Sequence, residues 1–344
     1  MNVNFLEKKE QVALSLEGIY SRFGYGKYKM NRFEEYSFYM VNEKFLEDNR
    51  IITFYDPHGK LLALKPDITM SVIKSCLKNP EQNHKMYYNE SVFRVPAGSS
   101  DFKEIHQIGA EYIGKLDSYQ TMELLNLAVK SLAEISENFM LCLSNMALIV
   151  NIFEDLKLNV DQINQITTYM KQKNLHDLNR YLSEQQIAGG EIFAQLLQVN
   201  SDVTRGFAQL KALFPGKKYQ AELANMATIV ENLPAIMPAS KVCLDFSYIT
   251  NLEYYNGLIF VGYVDGVSIP VLTGGRYDKL VAKMGLEGCA ALGFAVYLSA
   301  AEQILENEAP IPQTITYAPG DNVAELLKKA NKLYAQGNTF SVTM

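Results

Sequence analysis

The chain has 344 residues, enough for two or three units and a sizeable core. Acids exceed bases by 38 to 32, a net charge of -6, and the nearest approach to a basic stripe is Lys328-Lys329 with Lys332, which disfavours nucleic acid as a partner. No apolar run approaches the ~20 residues needed to cross a bilayer, and residues 1–11 are charged with no apolar signal core, so a soluble, cytoplasmic protein with no membrane partner is expected.

Residues 5–20 carry apolar side chains at helical spacing (Val12, Leu14, Leu16, Ile19) and run into a Gly24-Tyr25-Gly26 turn. Residues 33–40 are aromatic-rich and read as a short strand or a helix. Residues 51–55 and 61–64 read as a hairpin around Asp56-Pro57-His58-Gly59. Pro66 ends it, and Asp67 or Thr69 caps a helix over 70–77. Strands are expected at 85–94 and 104–113 with a loop at 95–101. A helix follows over 118–135, capped by Asp117 or Ser118, and then a strand at 140–143.

From about residue 151 to 233 glycines are few and apolar positions recur every three or four residues, which reads as a helical insertion. Strand signals return at 241–246. A hairpin is expected from 258–263 and 267–272 around Asp265-Gly266, then a buried helix over 293–305. Beyond a Pro310–Pro312 linker the pattern is strand (314–317), helix (322–335, ended by Gly337) and strand (339–344). So small a unit buries little surface alone and must dock on the body or on another chain. The expected fold class is α+β, a mainly antiparallel sheet flanked by helices. Its catalytic-type domain is discontinuous (1–150 and 234–308), with the insertion at 151–233 and a short C-terminal piece at 309–344.

The four cysteines, Cys76, Cys142, Cys243 and Cys289, are far apart and form no CxxC pair. They read as buried free thiols in a reducing compartment, with neither a zinc knuckle nor a redox motif. No His/Cys/Asp/Glu spacing points to a metal, and none is expected. His58 and Gly59 are solvated turn residues. His84 and His176 are isolated. His106 takes a structural role, because strand alternation turns it away from Gln107 and Glu111. The tyrosines 36, 39, 87 and 88 read as sheet or interface surface.

Five tracts stand out: Leu64-Lys65-Pro66-Asp67-Ile68-Thr69, Val92-Phe93-Arg94, Ile105-His106-Gln107-Ile108-Gly109-Ala110-Glu111, Leu252-Glu253-Tyr254-Tyr255-Asn256-Gly257 and Gly274-Gly275-Arg276-Tyr277-Asp278. They set carboxylates, a strand-end arginine and a tyrosine pair within reach of one site. A zwitterionic amino acid needs an anion for its ammonium, a guanidinium for its carboxylate and a polar wall for its side chain. A carboxylate and a phenol can hold both ends of an imidazole. Spacing alone leaves open that these are strand-end charges paired with one another.

In composition, order and spacing the tracts resemble the catalytic domain of histidyl-tRNA synthetases, over most of residues 1–305. The first matches the family's Leu-Arg-Pro-Glu-Gly-Thr, with Lys65, Asp67 and Ile68 departing. The resemblance implies that Asp67 and Thr69 bind the ammonium of histidine. It also implies that Gln107 and Glu111 contact the ligand, that Tyr254 and Tyr255 close on the imidazole, and that Arg94 is the arginine of class II motif 2. Gly274 to Asp278 matches the family's GGRYD strand-turn. Asp278 reads either as a fold-stabilising group that caps or pairs with Arg276, or as a ligand contact.

The departures cluster on the nucleotide side. The family's arginine before the tyrosine pair falls at Thr250, and the ATP-clamping arginine of motif 3 falls at Ala300. The motif 2 loop, 95–101, keeps only Lys103 near its end, and the motif 1 proline falls at Asn31. One arginine on a phosphoryl-transfer transition state contributes ~10³ to 10⁵ in rate, so loss of either leaves negligible activation. The stretch after residue 313 is far shorter than the family's anticodon-binding domain.

This combination resembles the regulatory subunits of ATP phosphoribosyltransferase, synthetase-like paralogs. The resemblance implies no catalytic residue and no cofactor. It implies a hetero-oligomer with the short-form catalytic subunit, which joins ATP to phosphoribosyl pyrophosphate in the first step of histidine synthesis. It further implies self-dimerisation, L-histidine as ligand and a part in feedback inhibition. An active histidyl-tRNA synthetase fragment and a ligand-free interaction module are the alternatives.

Overall fold

The computed structural model describes residues 6–46, 50–95, 100–252, 254–305, 313–316, 318, 321–336 and 340–343. In chain order the first elements are helix α1 (Lys8–Arg22), strands β1 (Gly26–Lys27) and β2 (Phe33–Glu35), helix α2 (Tyr36–Val41), strands β3 (Thr53–Tyr55) and β4 (Leu61–Leu64), and helix α3 (Thr69–Cys76). The long strands β5 (His84–Arg94) and β6 (Lys103–Gly114) follow, then α4 (Ser118–Ile135) and β7 (Phe139–Asn145). Six helices come next: α5 (Met146–Asp155), α6 (Val160–Lys171), α7 (Leu175–Glu184), α8 (Glu191–Leu197), α9 (Val203–Leu213) and α10 (Gln220–Asn232). The chain then forms β8 (Val242–Leu244), β9 (Leu258–Val264), β10 (Leu272–Arg276), α11 (Asp278–Lys283) and β11 (Ala290–Val296). It ends with β12 (Gln313–Thr316), α12 (Val323–Ala335) and β13 (Phe340–Thr343).

An eight-stranded sheet has the order β1-β5-β6-β11-β10-β9-β7-β8. Its five inner pairings are antiparallel and the two edge pairings, β1 with β5 and β7 with β8, are parallel. Alternation then divides the sheet's side chains between two cores. One face (Tyr87, Ile108, Ala110, Phe294, Phe260, Leu141) packs on α1 and α4, in a cluster that continues into Leu148, Phe193 and Leu210 of the helices between β7 and β8. The other face (Tyr88, Val92, Ile113, Ala291) packs on α3 and α11 through Val72, Ile73, Leu280 and Val281.

The expected hairpin at 51–64 is present: β3 pairs antiparallel with β4, and Asp56 Oδ1 accepts the N–H groups of His58 and Lys60 at 2.8 Å each. The stretch 33–40 holds both a strand and a helix. The expected Asp117 cap holds as a capping box with Gln120.

Two elements differ from expectation. The partner of β9 is 272–276, not 267–272, because Pro270 lacks the N–H a ladder needs; Leu272 pairs with Gly262 and the intervening residues form a long turn. The expected helix at 293–305 begins as strand: Ala290–Val296 lies between β6 and β10, and a 3₁₀ helix (Leu298–Ile304) follows.

In the C-terminal unit β12 pairs parallel with β13, and Asn322 caps α12. No described side chain of α12 is buried, and Val323, Leu327 and Tyr334 are exposed. Parts of the expectations at Phe5, 96–99, Glu253, 310–312, Tyr317, Gly337, Thr339 and Met344 lie outside the described residues.

Candidate functional site: a buried carboxylate in a cavity of the sheet

A cavity of about 760 Å³ opens on the face of the sheet that carries α3 and α11, and Asp67, Thr69, Arg94, Gln107, Glu111, Tyr254 and Tyr255 all line it. Four separate stretches of chain therefore meet at one place, and a fifth joins them through Gly274 and Tyr277. Strand alternation brings Gln107 and Glu111 to the same side of β6, and both are buried. His106 points to the other side, where its Nε2 lies 2.5 Å from Asn89 Oδ1 and burial lowers its pKa.

The turn after β4 delivers Asp67. Lys65 is 1% exposed and bridges Glu90 on β5 at 2.6 Å. Its backbone also accepts the Phe93 N–H at 2.9 Å, so the turn is fastened to β5 by main chain and side chain alike. Asp67 Oδ1 then accepts the Met70 N–H at 2.8 Å as α3 begins.

Glu111 is the centre of the site. Its Oε1 accepts the Thr69 hydroxyl at 2.8 Å and its Oε2 accepts the Tyr277 hydroxyl at 2.6 Å. Burial pushes its pKa up to about 8, against the lowering effect of those two hydrogen bonds and with the aid of nearby Asp67. Two glycines make room on the sheet. Gly293 is paired with Glu111, and a Cβ there would lie 1.5 Å from Oε2. Gly109 is paired with Tyr88, and a Cβ there would lie 2.4 Å from the phenol oxygen.

The aromatic wall is larger than the sequence indicates. The rings of Tyr254 and Tyr255 are 4.6 Å apart and those of Tyr254 and Tyr277 are 5.8 Å apart. Burial raises the pKa of Tyr254, Tyr277 and Tyr88, so all three are neutral hydrogen-bonding phenols.

Tyr88 lines the cavity, which corrects its reading as sheet surface. The missing signal was register: Tyr88 stands opposite Gly109, between Glu111 and Gln107 on the same face. Tyr277, inside the Gly274–Asp278 strand-turn, also lines the cavity, and only its bond to Glu111 marks it out. Asp278 pairs with Arg276 at 2.8 Å and accepts the Ala291 N–H at 2.9 Å, which ties the start of α11 to β11.

Thr250, Ser299 and Ala300 also line the cavity, Thr250 and Ala300 half-buried and Ser299 exposed. Among the described lining residues the cations are Arg94 and Lys103, against the acids Asp67, Glu104, Glu111 and Glu302. That lining suits an ammonium or imidazole far better than a triphosphate. No described group of three or more His, Cys, Asp or Glu side chains could hold a metal ion, and no described helix is long and apolar enough to cross a membrane.

A family model described as histidyl-tRNA synthetase matches residues 3–301. The chain belongs to that family. It is 29% identical over 334 residues to an ATP phosphoribosyltransferase regulatory subunit of Moorella thermoacetica, covering 95% of this chain and 86% of that protein. Among solved structures, an ATP phosphoribosyltransferase regulatory subunit/histidyl-tRNA synthetase from Bacillus halodurans C superposes with a TM-score of 0.82 at 21% identity, over 98% of this chain and 88% of that one. A chain of the ATP phosphoribosyl transferase (HisG:HisZ) complex from Thermotoga maritima superposes with a TM-score of 0.67 at 18% identity, over 84% of this chain and 97% of that one. These likenesses carry the fold: a class II synthetase-like mixed sheet flanked by helices.

Proposed function

We infer that this family member is a non-catalytic regulatory subunit of ATP phosphoribosyltransferase, needed for the first step of histidine biosynthesis and acting in the cytoplasm as part of a hetero-oligomer with the short catalytic subunit. We further propose that the cavity holds L-histidine and that the chain forms a dimer with a second copy. The observation that carries the reading is the composition of one cavity: Asp67, Thr69, Gln107, Glu111 and the tyrosines are gathered there, and so are Thr250 and Ala300, the two positions to which the sequence resemblance assigns the family's nucleotide-clamping arginines.

Asp67 offers an anion to the ligand ammonium and Arg94 a guanidinium to its carboxylate. Glu111 and the phenols of Tyr254 and Tyr277 present acceptors and donors to the imidazole nitrogens. A site that binds an amino acid without reacting it reports its concentration. Such a ligand shifts an assembly only by its differential affinity for two states of the complex. The domain division expected above (1–150 with 234–308, 151–233, 309–344) is retained as part of this proposal.

The test is co-purification with a short-form catalytic subunit and assay of phosphoribosyl transfer with and without histidine. The expected result is activity only in the complex, inhibited by histidine, with no histidine-dependent exchange of pyrophosphate into ATP by this chain alone. Exchange above background overturns the non-catalytic reading; absence of a histidine heat in calorimetry overturns the ligand.

A further inference from the structure

The sequence reading treats Cys142 and Cys243 as unrelated thiols 101 positions apart, but the fold brings them together. They are directly paired residues of the parallel strands β7 and β8, and their Sγ atoms are 2.9 Å apart. Paired strands run ~4.8 Å apart, inside the Cα separation that a disulfide spans, and the sulfurs need approach only a further ~0.9 Å to reach bonding distance. Both side chains are partly exposed.

Cys243 is fixed on both sides, by β7 and by a bridge to Asp202. The Lys173 ammonium, paired with Asp245 at 2.9 Å, stands close enough to influence both sulfurs. The hydrogen bond with Cys142 holds the Cys243 thiol below its usual pKa, and Cys142 is pushed up in turn. The pair also lies on the cavity's side of the sheet. One row of paired residues runs Tyr88, Gly109, Ala295, Thr273, Val261, Cys142, Cys243, and Tyr88, Ala295 and Thr273 line the cavity.

We propose that Cys142 and Cys243 are a reversible thiol–disulfide site, oxidised by a small-molecule disulfide of the glutathione class. The Cys243 thiolate attacks one sulfur of the disulfide and expels one glutathione thiolate, leaving a mixed disulfide. Cys142 loses its proton as it attacks Cys243 Sγ and expels the second glutathione. One protein S–S bond forms, two cysteine sulfurs are oxidised, and the oxidant leaves as two thiols that take up the two protons. The product fastens the edge strand β8 to β7. Within eleven residues β8 leads to Tyr248, Thr250, Tyr254 and Tyr255 on the cavity wall.

The full chain, purified reduced, is incubated without denaturant in oxidised glutathione, then denatured, alkylated and mapped by mass spectrometry. The expected result is that the four free thiols of the reduced chain fall by two, with a Cys142–Cys243 linkage that dithiothreitol reverses and with Cys76 and Cys289 still alkylated. Cys243→Ser abolishes the linkage, whereas Cys76→Ser with Cys289→Ser leaves it. Four alkylated cysteines after oxidation, a stable glutathione adduct on one of the pair, or a linkage between other cysteines overturns the proposal.

Discussion

The two halves of the cavity are built differently. At the amino-acid half, Thr69, Tyr88, Gln107, Glu111 and Tyr277 are buried, and Glu111 is held at both oxygens. At the other half, Lys103, Glu104, Ser299 and Glu302 are exposed, and Glu302 is paired 3.3 Å from Lys9 across the surface. A buried, hydrogen-bonded carboxylate is costly to build and serves recognition, whereas an exposed, net acidic rim does nothing for a phosphate. On the proposed reading, recognition of the amino acid rests on the packed half, and the missing chemistry falls where single side chains would have supplied it.

The largest effect comes from breaking the buried half. Gly293→Ala drives a methyl into Glu111 Oε2, and calorimetry should detect no histidine binding. Because Gly293 is on a central strand, overpacking there also destabilises the fold by about 1–3 kcal/mol, readable by denaturant unfolding. Glu111→Gln separates the two effects: it keeps the volume and should lose affinity without that destabilisation. Next in size is the open half. Thr250→Arg with Ala300→Arg should raise Mg-ATP affinity by about tenfold per arginine, since a charged hydrogen bond contributes about 1.5–3 kcal/mol. No gain in equilibrium dialysis would show that the rim's acids, not the missing arginines, set the exclusion.

Much of this contrast was readable in the residues. The seven residues named from the tracts line one cavity, because strand periodicity and tract order are legible in a single sequence. What stayed hidden needed partners. Ala290 to Val296 is apolar throughout because the strand is covered on both faces, so alternation, the signature of a strand, is erased. Tyr88 is one tyrosine among several until register places it against Gly109. The Cys142–Cys243 pair exists only through the β7–β8 pairing.

Glu111 also gives the comparison a pH dependence. Its folded pKa of about 8 lies above the ordinary 4.5, so the native state keeps a proton that the unfolded chain releases. That contribution to stability is complete below about pH 4.5 and is lost as pH rises through about 8. The native chain should therefore lose Tm relative to Glu111→Gln as pH rises from about 4.5 to about 8, and the difference should level off above that. A bound imidazole N–H favours the carboxylate, so histidine binding near neutral pH should release a fraction of a proton. Calorimetry in buffers of different ionisation enthalpy measures that release, and Glu111→Gln should abolish it. A buffer-independent heat would mean that Glu111 does not change its protonation on binding.

The smallest predicted effect tests the geometry that separates the site from its neighbours. His106 adjoins Gln107 in sequence, yet alternation places it on the other face of β6, against Asn89. His106→Gln keeps a hydrogen-bonding group for Asn89 and should change histidine affinity by less than about twofold, with a stability change within about 1 kcal/mol. Gln107→Ala, one position along the strand, removes a side chain that faces the cavity and should weaken binding by about tenfold, the weight of one buried hydrogen bond. If the two variants lose affinity equally, the face assignment of β6 is wrong, and the division between a recognising half and an empty half falls with it.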